Sequence, residues 1–204
     1  MHIEQIKILS TSIKRLLRRG ATRQLVKIID KTHMADLSIV FRELSNLNRK
    51  KLFDLIDDPE KIGLLFSEME ESVFLEFVKI VEFDKLVEIF DHMPSDDAAE
   101  LLGFLDEGLS DQILSKMQKE ESDNVEQLMS YGEDTAGSLM VTDFVALEKD
   151  VKAKEVIEAL QNKYLDVEMP FYIYVVDAYG KLVGVSSLRQ LVVVLSDTPL
   201  KDFM

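Results

Sequence analysis

The stretch Tyr131-Gly-Glu-Asp-Thr-Ala-Gly-Ser-Leu-Met-Val-Thr-Asp-Phe-Val-Ala-Leu147 joins two halves of the chain that obey different hydrophobic periods. Upstream, apolar residues fall at helical spacing: Leu37, Val40, Phe41 and Leu44 share one helix face, as do Leu86, Ile89, Phe90 and Met93. Downstream, short apolar runs alternate with helical segments. The pattern predicts strands at Phe144–Leu147, Phe171–Val176 and Leu182–Ser186, with helices at Val151–Lys163 and Leu188–Leu195. Asp177-Ala178-Tyr179-Gly180 supplies the Asp and Gly of a tight antiparallel hairpin, so the order is β-α-β-β-α.

The upstream half repeats itself. Apolar residues assigned to last helical turns recur at Leu44, Ile56, Met69, Val81, Met93, Leu105 and Met117, with spacings of 12, 13, 12, 12, 12 and 12 residues. Between them lie helix starts and breakers: Asn46 before Asn48, Asp57-Asp58-Pro59, Glu70-Glu71-Ser72, Pro94-Ser95-Asp96 and Asp106-Glu107-Gly108. A helix of about ten residues is marginal alone, so such units must bury their stripes on one another. The predicted architecture is mainly α. A right- or left-handed superhelix of short α-helices, an α-solenoid, spans Met34 to about Met129, and a small α/β unit follows. The basic leader Ile3 to Asp30, broken at Gly20, forms one or two helices that cap its start.

The 204 residues are 47% apolar, enough to fill real cores, and cysteine is absent. That excludes disulfides, thiolate metal sites and a cysteine nucleophile, and fits a cytoplasmic location. No run of about 18 apolar residues occurs, and no secretory leader is visible, so a soluble chain is expected. The charge of -14 is segregated: residues 1–31 carry eight Lys/Arg against Glu4 and Asp30, a net of +6, leaving -20 on the rest. Nucleic acid is a poor partner for such a surface. Between Asp91 and Asp134 there are thirteen Asp/Glu and only two Lys, so cations or basic surfaces are the natural complements. There is no Gly-rich phosphate loop, no GxSxG elbow and no Ser-His-Asp ordering, and no enzyme activity is expected. His2, His33 and His92 lack zinc-ligand spacing, and the last two are expected at helix ends. Met69, Met93, Met117, Met129 and Met140 read as core filler.

Tyr172-Ile173-Tyr174-Val175-Val176-Asp177, Gly180-Lys181-Leu182-Val183-Gly184-Val185-Ser186-Ser187-Leu188 and Thr198-Pro199-Leu200-Lys201-Asp202-Phe203-Met204 together resemble a CBS domain. Tyr131-x-Glu133-Asp134-Thr135-Ala136-Gly137-x-Leu139-Met140, after repeats containing Asp96-Asp97-Ala98-Ala99-Glu100-Leu101-Leu102, resembles the cytosolic part of MgtE-type magnesium transporters. The resemblance implies residues 1–130 as a helical N domain and 131–204 as a linker plus the first of two CBS domains. The second CBS domain and the membrane domain of that family are not among these residues. It further implies Mg2+-dependent gating at the cytoplasmic face of a membrane, a pore domain as partner, and a homodimer through CBS units. A lone unit would otherwise expose the apolar helix face Leu188, Leu191, Val192 and Leu195.

Mg2+ takes oxygen ligands and keeps much of its water, so a sensor needs few carboxylates placed close together. The expected metal site is Asp96, Asp97 and Glu100, with Asp96 and Glu100 four apart on one helix face, and the backbone at Gly137 is added by the resemblance. A second reading stands beside it: Ser95 or Asp96 as N-cap, and Asp97 as a first-turn acid favoured by the helix dipole. Glu133 and Asp134 are linker caps or ion contacts, and the acids from Asp106 to Glu126 are a solvated face. Lys14, Arg15, Arg18, Arg19 and Arg23 form a solvated basic face or a contact for acidic lipid or an acidic partner.

Two alternative functions remain. CBS pairs in many families bind adenine nucleotides, although here Gln190 in Ser187-Leu188-Arg189-Gln190 stands where an acidic ribose ligand is usual. Arrays of short helices also serve as protein-interaction scaffolds, and the N-terminal half faintly resembles flagellar motor switch proteins.

Overall fold

No helix between Met34 and Met129 exceeds eleven residues, and none could hold its shape without neighbours. The computed structural model describes residues 3–132, 135–142, 144–162 and 171–204. It divides into two compact units, Met1–Met140 and Val141–Met204.

The first unit is all helical: α1 (Ile3–Arg19), α2 (Thr22–Ile29), α3 (Met34–Arg42), α4 (Asn46–Phe53), α5 (Pro59–Ser67), α6 (Glu71–Val78), α7 (Phe83–Asp91), α8 (Ser95–Gly103), α9 (Glu107–Leu114) and α10 (Lys119–Met129). A 3-10 turn, Gly137–Leu139, follows. Gly20 separates α1 from α2 with a φ of 62°, a left-handed value that favours glycine, and Gly20 N–H donates to the carbonyl of Leu17. Alternate helices stack, α1 on α3, α3 on α5, α5 on α7 and α7 on α9, while α8 packs on α10. This is the expected solenoid.

The repeat has a different physical origin from the one read off the sequence. Leu44, Met69, Val81, Met93, Leu105 and Met117 lie past the ends of their helices, each immediately before the next N-cap. At this position an apolar residue fixes the angle at which the chain enters a helix. The N-caps Ser45, Asp58, Glu70, Glu82, Pro94, Asp106 and Gln118 carry the period, and the one longer interval holds the extra Asp57. Asp58 and Asp106 accept N–H bonds from Glu60 and Leu109, and Pro59 occupies the first turn.

Five phenylalanines from four helices knit the early units together. Phe77 lies 5.7 Å from Phe41, 4.9 Å from Phe53 and 6.2 Å from Phe66, ring centre to ring centre, and Phe74 meets Phe66 edge-on. All five are buried. Arg49 closes the C-terminus of α3, donating from Nε to the Phe41 carbonyl at 2.9 Å and from Nη2 to that of Arg42 at 3.2 Å, while Nη1 meets Glu76 at 2.7 Å. A cation there suits the negative end of the helix dipole. Lys14 and Ser10 of α1 both donate to Glu43, holding that carboxyl below the ordinary glutamate range.

The second unit is a three-stranded sheet, β1 (Val145–Glu148), β2 (Tyr172–Val176) and β3 (Leu182–Ser187), with helices α11 (Ala153–Asn162) and α12 (Leu188–Val193). β1 runs parallel to β2, and β2 antiparallel to β3 through the turn at Gly180. Val145, Val156, Ile173, Val175, Leu191 and Leu200 form its core. The β-α-β-β-α order is as predicted and the described ends shift by one or two residues, while the expected helix end at Lys163 lies outside the described residues. Leu191 is core and Leu188 packs against it, contrary to their expected exposure, whereas Val192, Val193 and Leu195 are 80%, 79% and 81% exposed. The chain end closes the unit: Leu200 and Lys201 donate to the carbonyls of Val151 and Lys149, and Lys201 pairs with Asp150 at 2.8 Å. Lys154 and Lys152 flank Asp197 at 3.0 and 3.5 Å. The hydrogen bonds from Lys201 and Lys154 hold Asp150 and Asp197 below the usual aspartate range.

Truncating Phe77 removes the ring shared by three others. Phe77→Ala is expected to lower unfolding stability by about 3–5 kcal/mol, read as a shift of the urea midpoint. A loss below about 1 kcal/mol would show that the units hold without this hub.

Candidate functional site

The acids of α8 are placed by the turn before it. Pro94 is the N-cap and offers no side-chain cap, and Ser95, the first helical residue, is buried. Neither Ser95 nor Asp96 is therefore the cap. Asp96 and Asp97 occupy the first turn, where the helix dipole favours negative charge, and both are half-buried. Glu100 follows one turn later and is exposed. None of the three forms an ion pair among the described residues.

Among the described residues Asp97 has one polar partner. Ser67 Oγ at the end of α5 lies 2.7 Å from Asp97 Oδ2 and 3.1 Å from the Gly63 carbonyl, so its single proton serves the carboxylate or the carbonyl. This bond ties α5 to α8 and leaves Asp97 Oδ1 and the whole of the Asp96 and Glu100 carboxylates for other partners. Asp91, by contrast, accepts from Gln118 N–H at 2.7 Å, joining α7 to the start of α10. Sequence reading missed that role, because the two residues are far apart in the chain and no local motif links them.

Gly137 opens the 3-10 turn that packs against α10, the helix on which α8 also packs. Both candidate elements thus share one supporting helix. Thr135 Oγ1 accepts from Ser138 N–H at 3.3 Å and sets the turn, and the Gly137 carbonyl accepts from Met140 N–H, also at 3.3 Å, leaving it a second lone pair. The Tyr131 ring covers Gly137, and a β-carbon there would overlap it. Gln127 of α10 donates to the Tyr131 hydroxyl at 3.3 Å, which orients the ring. Glu133 and Asp134 lie outside the described residues.

Among the described residues no group of three or more His, Cys, Asp or Glu is arranged to hold a metal ion. A closed protein cage is not what the residues offer. Asp96 and Glu100, four residues apart, share one face of α8, Asp97 is tied to Ser67, and the Gly137 carbonyl belongs to a separate turn that also packs on α10. Asp106, Glu107, Asp111, Glu120, Asp123 and Glu126 are exposed, as a solvated face requires. His33 and His92 sit at helix ends as expected, with the His92 ring against the Glu88 carbonyl. Met129 and Met140 are partly exposed and are not core filler, unlike the buried Met93 and Met117. In the second unit Ser187 and Gln190 form a reciprocal capping box at the start of α12, and Gln190 Nε2 donates to the Phe203 carbonyl.

The family model of the MgtE intracellular N domain matches residues 32–134. Over 199 residues the chain is 30% identical to the magnesium transporter MgtE of Thermus thermophilus, covering 96% of this chain and 44% of that protein. A crystal structure of the soluble part of a magnesium transporter superposes with a TM-score of 0.87 at 25% identity, covering 97% of this chain and 77% of the other. The cytosolic domain of the Mg2+ channel MgtE in complex with ATP superposes with a TM-score of 0.87 at 30% identity, covering 95% and 79%. The chain spans less than half the length of the curated relative. Among the described residues no helix is long and apolar enough to cross a membrane.

A methyl group at Gly137 must displace the Tyr131 ring. Gly137→Ala is expected to shift the Tyr131 ring resonances in NMR spectra and to cost about 1–3 kcal/mol, with the cost reduced in the Gly137→Ala/Tyr131→Ala double variant. Unmoved Tyr131 resonances would show that the ring does not lie on this turn.

Proposed function

The chain belongs to the MgtE intracellular N domain family, and from that premise we propose that it is the cytosolic regulatory part of a magnesium transporter. In this reading Mg2+ bound through Asp96, Asp97 and Glu100, with the Gly137 carbonyl as a further oxygen donor, governs the opening of a pore carried elsewhere in the parent protein. The observation that carries it is the set of α8 acids with no basic partner among the described residues, on a helix that shares its support, α10, with the Gly137 turn.

The physics is that of like charges. At about 4 Å two carboxylates repel by roughly 4 kcal/mol at an effective dielectric of 20, and a shared dication reverses the sign. When bound, Mg2+ supplies attraction where the protein alone has repulsion. The residues' own part is to present oxygens: Ser67 holds Asp97 in place, Pro94 leaves the first turn of α8 without a side-chain cap, and waters complete the octahedron. The bare apolar residues Val192, Val193 and Leu195 support a homodimer formed through the second unit.

Thermal melts in MgCl2 against KCl of matched ionic strength test this. Mg2+ at one hundred times its dissociation constant is expected to add about 2.7 kcal/mol, and Asp96→Asn/Asp97→Asn/Glu100→Gln is expected to remove the response. Identical melts in the two salts would reduce the effect to charge screening.

A second reading is adenine-nucleotide binding, favoured by the solved relative in complex with ATP. In this chain Ser187 and Gln190 are engaged in the capping box, so a ribose bound there would have to break those bonds. Calorimetry with ATP and AMP decides it: heats fitting micromolar affinity would favour the nucleotide, and no heat at millimolar concentration would exclude it.

A further inference from the structure

We propose that the exposed basic face of α1 and α2 docks onto an anionic lipid bilayer. Arg15, Arg18 and Arg19 are exposed on the side of α1 away from the buried Ile13, Leu16 and Leu17, and Arg23 of α2 is exposed two residues from the buried Leu25. None of the four forms an ion pair among the described residues, although the chain carries 38 Asp and Glu. Lys14, on the edge of this face, is taken by Glu43. Leaving four guanidinium groups unpaired in so acidic a protein concentrates positive charge at one end of the helical stack, because α1 begins the row that continues through α3, α5, α7 and α9.

The occupant follows from the make-up of the face. Guanidinium groups bind phosphate oxygens in forked geometry, and a bilayer presents phosphates across its surface, so no shaped partner is needed. Ile8, 67% exposed, shares the exposed arc with Arg15, which lies seven residues on and about two helical turns away. An exposed apolar side chain on the same helix arc as the arginines is what an interfacial helix sinks below the headgroups. The remaining net charge of -20 turns the other surfaces away from the lipid, so docking is oriented. This inference rests on the reading that the chain works in a membrane transporter, which keeps it within reach of a bilayer.

Flotation of the whole chain with vesicles tests it, using phosphatidylcholine alone and phosphatidylcholine with about one third phosphatidylglycerol. Each arginine at an anionic surface is worth about fivefold in binding. Binding to the anionic vesicles only, weakened by salt, is expected. R15E/R18E/R19E/R23E should bind at least about tenfold less, and Ile8→Ser should bind a few-fold less with the same salt dependence. All five positions are exposed, and circular dichroism would verify that the variants fold.

Absence of binding, equal binding to neutral vesicles, or undiminished binding by the arginine variant would each overturn the proposal. Salt-sensitive self-association without vesicle binding would assign the face to a second copy. Displacement from vesicles by millimolar inorganic phosphate at constant ionic strength would assign it to free anions. A magnesium response without vesicle binding would sink this inference alone, while vesicle binding without a magnesium response would sink the sensor reading alone.

Discussion

A helix of eight or nine residues cannot hold itself together, and everything in the first unit follows from that constraint. Nucleation fixes several dihedrals for each early hydrogen bond, so such a helix persists only where its apolar stripe is taken up by another. Here α1, α3, α5, α7 and α9 are each held by the one two places along the chain, as α8 is by α10, and the Phe41, Phe53, Phe66, Phe74 and Phe77 cluster spans four successive helices. The polar ties, Arg49 on the α3 carbonyls, Ser67 beside Asp97 and Asp91 on the α10 terminus, fix angles between helices already buried against each other. Such bonds contribute modestly to net stability and strongly to geometry. The α8 acids owe their position to this frame.

Helical period, strand alternation and the hairpin at Gly180 were all legible in the sequence, because they depend on neighbours in the chain. The twelve-residue repeat was legible too, but its meaning was not. Met93 and Leu105 look like the last apolar residues of one helix, and only the fold reveals them as the residues leading into the next. The same limit explains Leu191: periodicity puts it on an apolar face but does not say whether the sheet of its own unit covers that face. For the candidate site, sequence picked out Asp96, Asp97 and Glu100 by spacing. It could not pick out Ser67, thirty residues from Asp97, or the Tyr131 ring over Gly137.

Charge is distributed as deliberately as hydrophobicity. The leader is positive, with Arg15, Arg18, Arg19 and Arg23 in no ion pair among the described residues, and the later helices are negative. Pairing these groups internally would have given surface ion pairs worth little each. Left apart, they form two surfaces of opposite sign, the acidic one proposed to take divalent cations and the basic one proposed to take anionic headgroups.

The single thirteen-residue unit shows where this architecture admits change in length. Asp57 is accommodated in the corner between Ile56 and the N-cap Asp58, and the helices on either side keep their lengths of eight and nine residues. A residue added inside a helix would instead rotate every later side chain in it by about 100° and strand its apolar stripe in water. Relatives of this chain should therefore differ in length at corners, or by whole repeats, making the corner the unit of evolutionary accounting and the helix its indivisible coin.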